Sequence, residues 1–162
     1  MEEVKTTLDE LRAFNVFPTN TNADFAMRDW KVALLSLQAH ESDGDTATVI
    51  VAYQQAIEKF IKYYLMRARG IGGRQIEIHR LVALADMAGF ELDDNERELF
   101  RNLSAFYFEG RYEQENTDGL ERLLNYFDGR IRQLDELCRK LCIACQRVVK
   151  VKATKIAELH FD

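Results

Sequence analysis

His79 and Arg74 supply an imidazole and a guanidinium, two side-chain types that can act on a phosphate group. Cleavage of RNA without a metal needs a group with a pKa near neutrality to move the proton of a ribose 2′-hydroxyl. It also needs a fixed cation to hold the phosphate as charge builds on it. His79 is the candidate for the first role, and Arg74 or Arg111 for the second. The alternative is that His79 begins or caps its helix and that Arg74 lies in solvent.

Three further residues are candidates for phosphate or nucleotide binding. Arg111 can hold a phosphate with its guanidinium fork while the ring of Tyr112 stacks on a base. The alternative is that Tyr112 packs on the protein and Arg111 pairs with a nearby carboxylate. Lys59 lies at the edge of the polar side of its predicted helix, within reach of a pocket between helices, and its alternative role is that of a plain surface lysine.

The three cysteines lie together at Cys138, Cys142 and Cys145. Their spacing is the one by which radical enzymes hold an iron-sulfur cluster, but those enzymes present the cysteines on a loop. Here they occupy consecutive turns of a predicted helix, which favours small apolar packing residues. We therefore expect no metal and no cofactor. An odd number of cysteines also suits a reducing compartment, so we expect a cytoplasmic protein.

The composition favours one all-α domain. The chain has 162 residues, of which 47% are hydrophobic, with one proline and eight glycines, too few turn residues for a sandwich or barrel. No uncharged run approaches the roughly 18 residues of a membrane span, and the first residues lack the features of a secretory signal. The net charge is −5, but residues 130–155 carry eight basic residues against two acidic ones. That segment suits a phosphate or an acidic partner, or is a solvated helix face.

The predicted helices are organised around residues 52–65. A helical period places one set of side chains on an apolar half, namely Tyr53, Ala56, Ile57, Phe60, Ile61 and Tyr64. The opposite half is polar and consists of Gln54, Gln55, Glu58, Lys59 and Lys62. We expect this central helix to run from about 46 to 69, with Asp45 as its cap, and to be wrapped by its neighbours.

Capping signals and apolar stripes predict the other helices. A capping box begins at Thr7 and predicts a brief helix outside the main bundle. The next helix covers about 23–40, a shorter one begins at His79 and is closed by Gly89, and another covers about 94–109.

An apolar heptad runs without interruption from Leu120 to Val148. It predicts a last helix from 118 to about 150, roughly 50 Å long at 1.5 Å per residue. Because the other helices are too short to cover it, a second copy of the chain is the simplest partner for its C-terminal half.

The chain resembles the HEPN family of small helical bundles, named for presumed nucleotide binding in higher eukaryotes and prokaryotes. The resemblance depends on the block AYQQAIEKFIKYYL at 52–65, a glycine-containing connection, His79 followed two residues later by Leu81, and a helix that ends in Gly110-Arg111-Tyr112. With the flanking helices, it covers about 23–148.

The resemblance implies an antiparallel up-and-down bundle of four to five main helices with a long C-terminal helix. It also implies a homodimer and frequent work beside a minimal nucleotidyltransferase. Some members are metal-independent ribonucleases of toxin and defence systems, with an arginine, four to six residues and then a histidine. Arg74 and His79 match that spacing, although they precede the third main helix. At the Arg-Tyr-Pro of related bundles, this chain has Glu113 in place of the proline.

The sequence therefore predicts a short N-terminal extension over 1–22, a HEPN-like bundle over 23–150 and a tail over 151–162. The preferred function is a nucleotide- or RNA-associated binding module that acts with a partner protein and without a membrane. One alternative is a ribonuclease that uses His79 with Arg74 or Arg111. Another is a dimeric structural bundle without a ligand.

Overall fold

The structure is a computed structural model that describes residues 4–39, 44–73, 76, 80–110 and 117–150. This part of the chain forms seven α-helices and no strand. The helices are α1 (Leu8–Phe14), α2 (Asn22–Gln38), α3 (Gly44–Tyr64), α4 (Leu81–Ala88), α5 (Asp94–Gly110), α6 (Thr117–Phe127) and α7 (Ile131–Val148). The all-α prediction is confirmed.

Helix α3 is the centre of the bundle, as its apolar half predicted. It contacts α2, α4, α5, α6 and α7, with α2 and α7 as its main neighbours. The ring of Phe60 on α3 meets Trp30 on α2 edge-to-face, with 6.2 Å between the ring centroids. Both side chains are fully buried, so their large apolar surfaces hold α2 against α3. Within the described residues, no helix has the length and apolar character that a membrane span requires.

The sides of α3 differ from the prediction in two places. Gln54, expected on the polar half, is 2% exposed, and Tyr63, which the apolar set omitted, is equally buried. Because helices pack against several sides of α3, more of its side chains are buried than on a helix with a single apolar side. The helix begins at Gly44, so Asp45 lies in its first turn and is not the cap.

The end of α3 is a turn of π-helix over Leu65–Arg69. Gly70 follows in the left-handed conformation at φ 66°, which glycine adopts without steric cost, and this ends the helix where the glycines predicted. Helix α4 then begins at Leu81, two residues after His79, rather than at His79 itself.

The predicted continuous helix over 118–150 is wrong at its middle. Helix α6 ends at Phe127 and α7 begins at Ile131, with Gly129 between them at φ +80°. Because Phe127 and Ile131 are four residues apart, the heptad spacing continues across the turn although the helix does not. The apolar side of α7 packs inside the bundle and includes Leu134 and Leu141. The length of the last helix therefore gives no reason to require a second copy.

Helix α1 forms with its predicted capping box, but it packs on the bundle rather than outside it. The side chain of Thr7 accepts the backbone N–H of Glu10, and Glu10 accepts the N–H of Thr7 in return. Phe14 stacks on Trp30 with 6.2 Å between the ring centroids. The guanidinium of Arg139 on α7 donates to Glu10 at 3.1 Å. These contacts attach the N-terminal segment to α2 and α7.

Candidate functional site

The predicted site residues fall mainly outside the described residues. Arg74, His79, Arg111 and Tyr112 all lie there, so their mutual placement stays a prediction. Lys59 is described, and its ammonium is paired with a carboxylate.

Lys59 on α3 forms an ion pair with Asp29 on α2, the helix with which α3 has its most extensive contact. Its Nζ atom lies 2.5 Å from Oδ2 of Asp29. The two side chains are 28% and 26% exposed, so the pair is partly shielded but open to solvent on one side. Partial shielding strengthens the attraction relative to a fully exposed pair. Asp29 escaped notice in the sequence because 30 residues separate it from Lys59.

Asp29 also lines a groove of about 520 Å³, which we call the α3 groove. Its floor is the outer side of α3, and its walls come from α2 on one side and from α5 and α6 on the other. The lining residues are Asp29, Val32, Ala47, Thr48, Val51, Ala52, Gln55, Phe106, Tyr107 and Leu120. A groove of this size, mostly apolar with a few polar groups, is typical of small-molecule sites.

Three polar side chains of the α3 groove, those of Asp29, Thr48 and Gln55, lie on α2 and α3. Gln55 is one turn before Lys59, and its side-chain amide donates to Gln54 at 2.5 Å. Thr48 is exposed on the same side of α3. The far wall contributes Phe106, which is buried, and Tyr107, which is half-buried. The groove therefore offers a charged edge near α2 and an aromatic wall near α5.

A second polar cluster, which the sequence did not predict, surrounds Asp135 on α7. This carboxylate is only 4% exposed. It accepts hydrogen bonds from Thr6 Oγ1 at 2.5 Å, from Trp30 Nε1 at 2.8 Å and from the hydroxyl of Tyr53 at 2.9 Å. We call these four residues the Asp135 cluster. They join the N-terminal segment, α2, α3 and α7 inside the core.

The hydrogen bonds of the Asp135 cluster stabilise the fold. Burial, and then the neighbouring carboxylate of Asp135, raise the pKa of Tyr53, so its hydroxyl stays protonated and donates. These three donors satisfy the hydrogen-bonding capacity of the Asp135 carboxylate, which is closed to solvent. The signal in the sequence was the pair Trp30 and Tyr53 on apolar stripes, because a buried indole or phenol needs a hydrogen-bond partner.

The three cysteines are buried packing residues, as the heptad predicted. Cys145 donates to the carbonyl of Phe60 at 3.1 Å, and Cys142 lies 3.8 Å from the sulfur of Met27. Burial raises the pKa of Cys142 to about 12 and also raises the pKa values of Cys138 and Cys145. Thiols held protonated in this way are poor nucleophiles and poor metal ligands. Within the described residues, no group of His, Cys, Asp and Glu is arranged to hold a metal ion.

Three of the four basic residues of α7, namely Arg132, Arg139 and Lys140, pair with carboxylates. Arg139 pairs with Glu10 at 3.1 Å, and Lys140 pairs with Glu96 at 3.4 Å. A groove of about 540 Å³ beside α7 carries both signs of charge, because Arg147 and Glu91 both line it. The described part of the basic segment therefore matches the simpler interpretation, a solvated and partly paired helix face.

Comparison with known proteins identifies the family. The model of the HEPN domain matches residues 26–128, which is more than half of the chain. The matched range begins in α2 and ends just after α6, so it contains α3, the α3 groove and the positions of Arg74, His79, Arg111 and Tyr112. No curated protein and no solved structure matches the chain. The chain belongs to the HEPN domain family.

Proposed function

We propose that the protein is a nucleotide- or RNA-associated binding module that works with a partner protein, such as a minimal nucleotidyltransferase. The observation that carries this proposal is the match to the HEPN domain over residues 26–128. The α3 groove supports it, since its volume of about 520 Å³ and its mostly apolar lining suit a nucleobase.

The covalent course of the chain connects the groove with the predicted phosphate-binding residues. Phe106 and Tyr107 line the groove from α5, and α5 ends at Gly110. Arg111 and Tyr112 are the next two residues in the sequence. A nucleotide whose base occupies the groove would carry its phosphate toward a cation at the α5 end, which is the role proposed for Arg111.

The test is ligand-dependent stability with a variant that fills the groove. A nucleotide present at 100 times its dissociation constant adds about 2.7 kcal/mol to the free energy of unfolding. Thr48→Trp places an indole in the groove from an exposed position, so it should abolish that gain. Gln38→Trp adds the same ring at an exposed position of α2 outside the groove and should leave the gain unchanged.

The phosphate contact is tested separately. Arg111→Ala should weaken a nucleoside monophosphate much more than the corresponding nucleoside, because it removes a contact to phosphate alone. Equal losses for both ligands would remove Arg111 from the site. If no nucleotide and no RNA stabilises the protein at millimolar concentration, the binding module is wrong and a structural bundle takes its place.

A separate experiment tests whether the protein cleaves RNA. Purified protein incubated with RNA in the presence of a chelator should leave the RNA intact if the module only binds. Cleavage that disappears in His79→Ala would instead identify the metal-independent ribonuclease, with Arg74 or Arg111 as the fixed cation. We also propose self-association as a homodimer, for which the mass from sedimentation equilibrium is the direct measurement.

A further inference from the structure

The groove beside α7, which we call the α7 groove, lies outside the proposed nucleotide site. Its volume is about 540 Å³, and its lining comes from α7, the first half of α5, the connection between α4 and α5, and the end of α3. Tyr64 and Phe90 line it with 4.7 Å between their ring centroids, and the buried ring of Phe100 lines it as well. It shares no lining residue with the α3 groove. An apolar recess of this kind is a place where a partner can bury hydrophobic surface.

An exposed isoleucine lies on the same surface. Ile143 on α7 lines the α7 groove and is 43% exposed. Single exposed apolar side chains are common on proteins, but this one adjoins an apolar recess, and the small side chain of Ala144 lines the recess next to it. The surface therefore combines an exposed apolar side chain with a hollow that can receive one. Two copies of it complement each other, because Ile143 of each copy can enter the groove of the other.

The charged residues of the α7 groove carry equal numbers of both signs. Lys140 and Glu96 pair with each other at 3.4 Å within one copy of the chain. Glu91 and Arg147 are exposed, and neither pairs with another described residue. Water solvates both groups in a single copy. In a twofold arrangement Arg147 of each copy meets Glu91 of the other, so the surface complements itself in charge as well.

We propose that the α7 groove is the interface through which two copies of this chain associate. This inference rests on the proposed homodimer and names its surface. Ile143 and the aromatic side chains form the apolar centre of the interface, and the pairs of Arg147 with Glu91 lie at its rim, an arrangement typical of protein–protein interfaces. A small anion or cation suits the groove less well, since either meets a group of its own charge there.

The first experiment measures the mass of the full chain by sedimentation equilibrium. Ile143→Glu places a charge at the apolar centre of the interface, so it should raise the dissociation constant of the dimer roughly 30-fold or more, the effect of a hot-spot residue. Leu35→Glu is the matched control, because Leu35 on α2 is also 43% exposed and lines neither groove. It should leave the dissociation constant unchanged. Circular dichroism of both variants checks that they fold.

The second experiment tests the charge pairs across the interface. Arg147→Glu alone and Glu91→Arg alone each set like charges against each other twice, so each variant should dimerise about 10-fold more weakly. In a mixture of the two variants, a copy with one substitution can meet a copy with the other, which restores opposite charges at both positions. The mixture should therefore form a heterodimer that is tighter than either homodimer. Ion pairs within a single copy cannot produce this result.

The outcomes separate this interface from the homodimer itself. A dimer that Ile143→Glu leaves as tight as before, or a mixture that is no tighter than its two components, overturns the α7 groove as the interface and leaves the homodimer to another surface. A monomer at the highest concentration reached overturns both, whereas the nucleotide site proposed in the α3 groove is tested by ligand binding alone. If Ile143→Glu does not fold, the mixture still decides.

Discussion

Two aspartates of this bundle, Asp135 and Asp29, differ in what surrounds them. Asp135 accepts three hydrogen bonds inside the protein and is 4% exposed. Asp29 makes one ion pair, is 26% exposed and faces a groove. A carboxylate with all its contacts inside the fold holds helices together. A partly exposed carboxylate beside a groove remains accessible from solvent. The predictions below test whether this division of roles is real.

The largest expected effect is on the stability provided by Asp135. Asp135→Ala leaves the buried donors of Thr6, Trp30 and Tyr53 without their acceptor, and each unsatisfied donor costs on the order of 1–3 kcal/mol. Because the losses overlap, we expect the free energy of unfolding to fall by about 3–5 kcal/mol. Urea denaturation followed by circular dichroism measures it.

Glu136→Gln is the matched control for that variant. Glu136 is the next residue along α7, and it makes an exposed pair with Arg132 at 3.5 Å. Exposed pairs contribute roughly 0–1 kcal/mol, so this variant should be close to the unaltered protein. Similar effects of the two variants would show that the hydrogen bonds of Asp135 contribute no more than a surface pair.

A substitution at Gly129 should change the free energy of unfolding less than Asp135→Ala does. It tests whether the turn there directs α7, and with it Asp135, toward α2 and α3. With φ at +80°, an alanine at this position costs about 1–2 kcal/mol. In α6, by contrast, Gly119→Ala should stabilise the protein by up to about 1 kcal/mol through helix propensity. Urea denaturation of both variants gives the comparison. Stabilisation by both substitutions would mean that one continuous helix spans this region, in which case α7 could not turn back to present Asp135 to α2 and α3.

The smallest expected effect is on the stability provided by Asp29. Asp29→Asn breaks a partly exposed pair, so the free energy of unfolding should fall by about 1 kcal/mol or less. A loss of stability as large as that of Asp135→Ala would place Asp29 with the structural carboxylates and remove the contrast between the two.

The helices were predictable because their signals are local. The capping box at Thr7 needs only residues three apart, and it forms. Asp93 and Glu96, also three apart, make the same reciprocal hydrogen bonds at the start of α5. The break at Gly129 was missed because Phe127 and Ile131 keep the heptad spacing across it. The signal that was present is the dipeptide Asp128-Gly129, a common turn sequence.

The candidate site was predictable only in part. Lys59 was selected for its position on α3, but its partner Asp29 is 30 residues away, and a contact between two helices leaves no trace in the local pattern. Asp135 was counted as a minor charge on a basic helix, since its burial depends on donors from Trp30 and Tyr53 on other helices. Long-range pairings of this kind are set by how the helices pack, which periodicity does not specify.

The most direct measurement is a crystal structure of the protein with a bound nucleotide. We expect the base in the α3 groove and the phosphate at its α5 side. A nucleotide bound elsewhere on the surface would contradict the account.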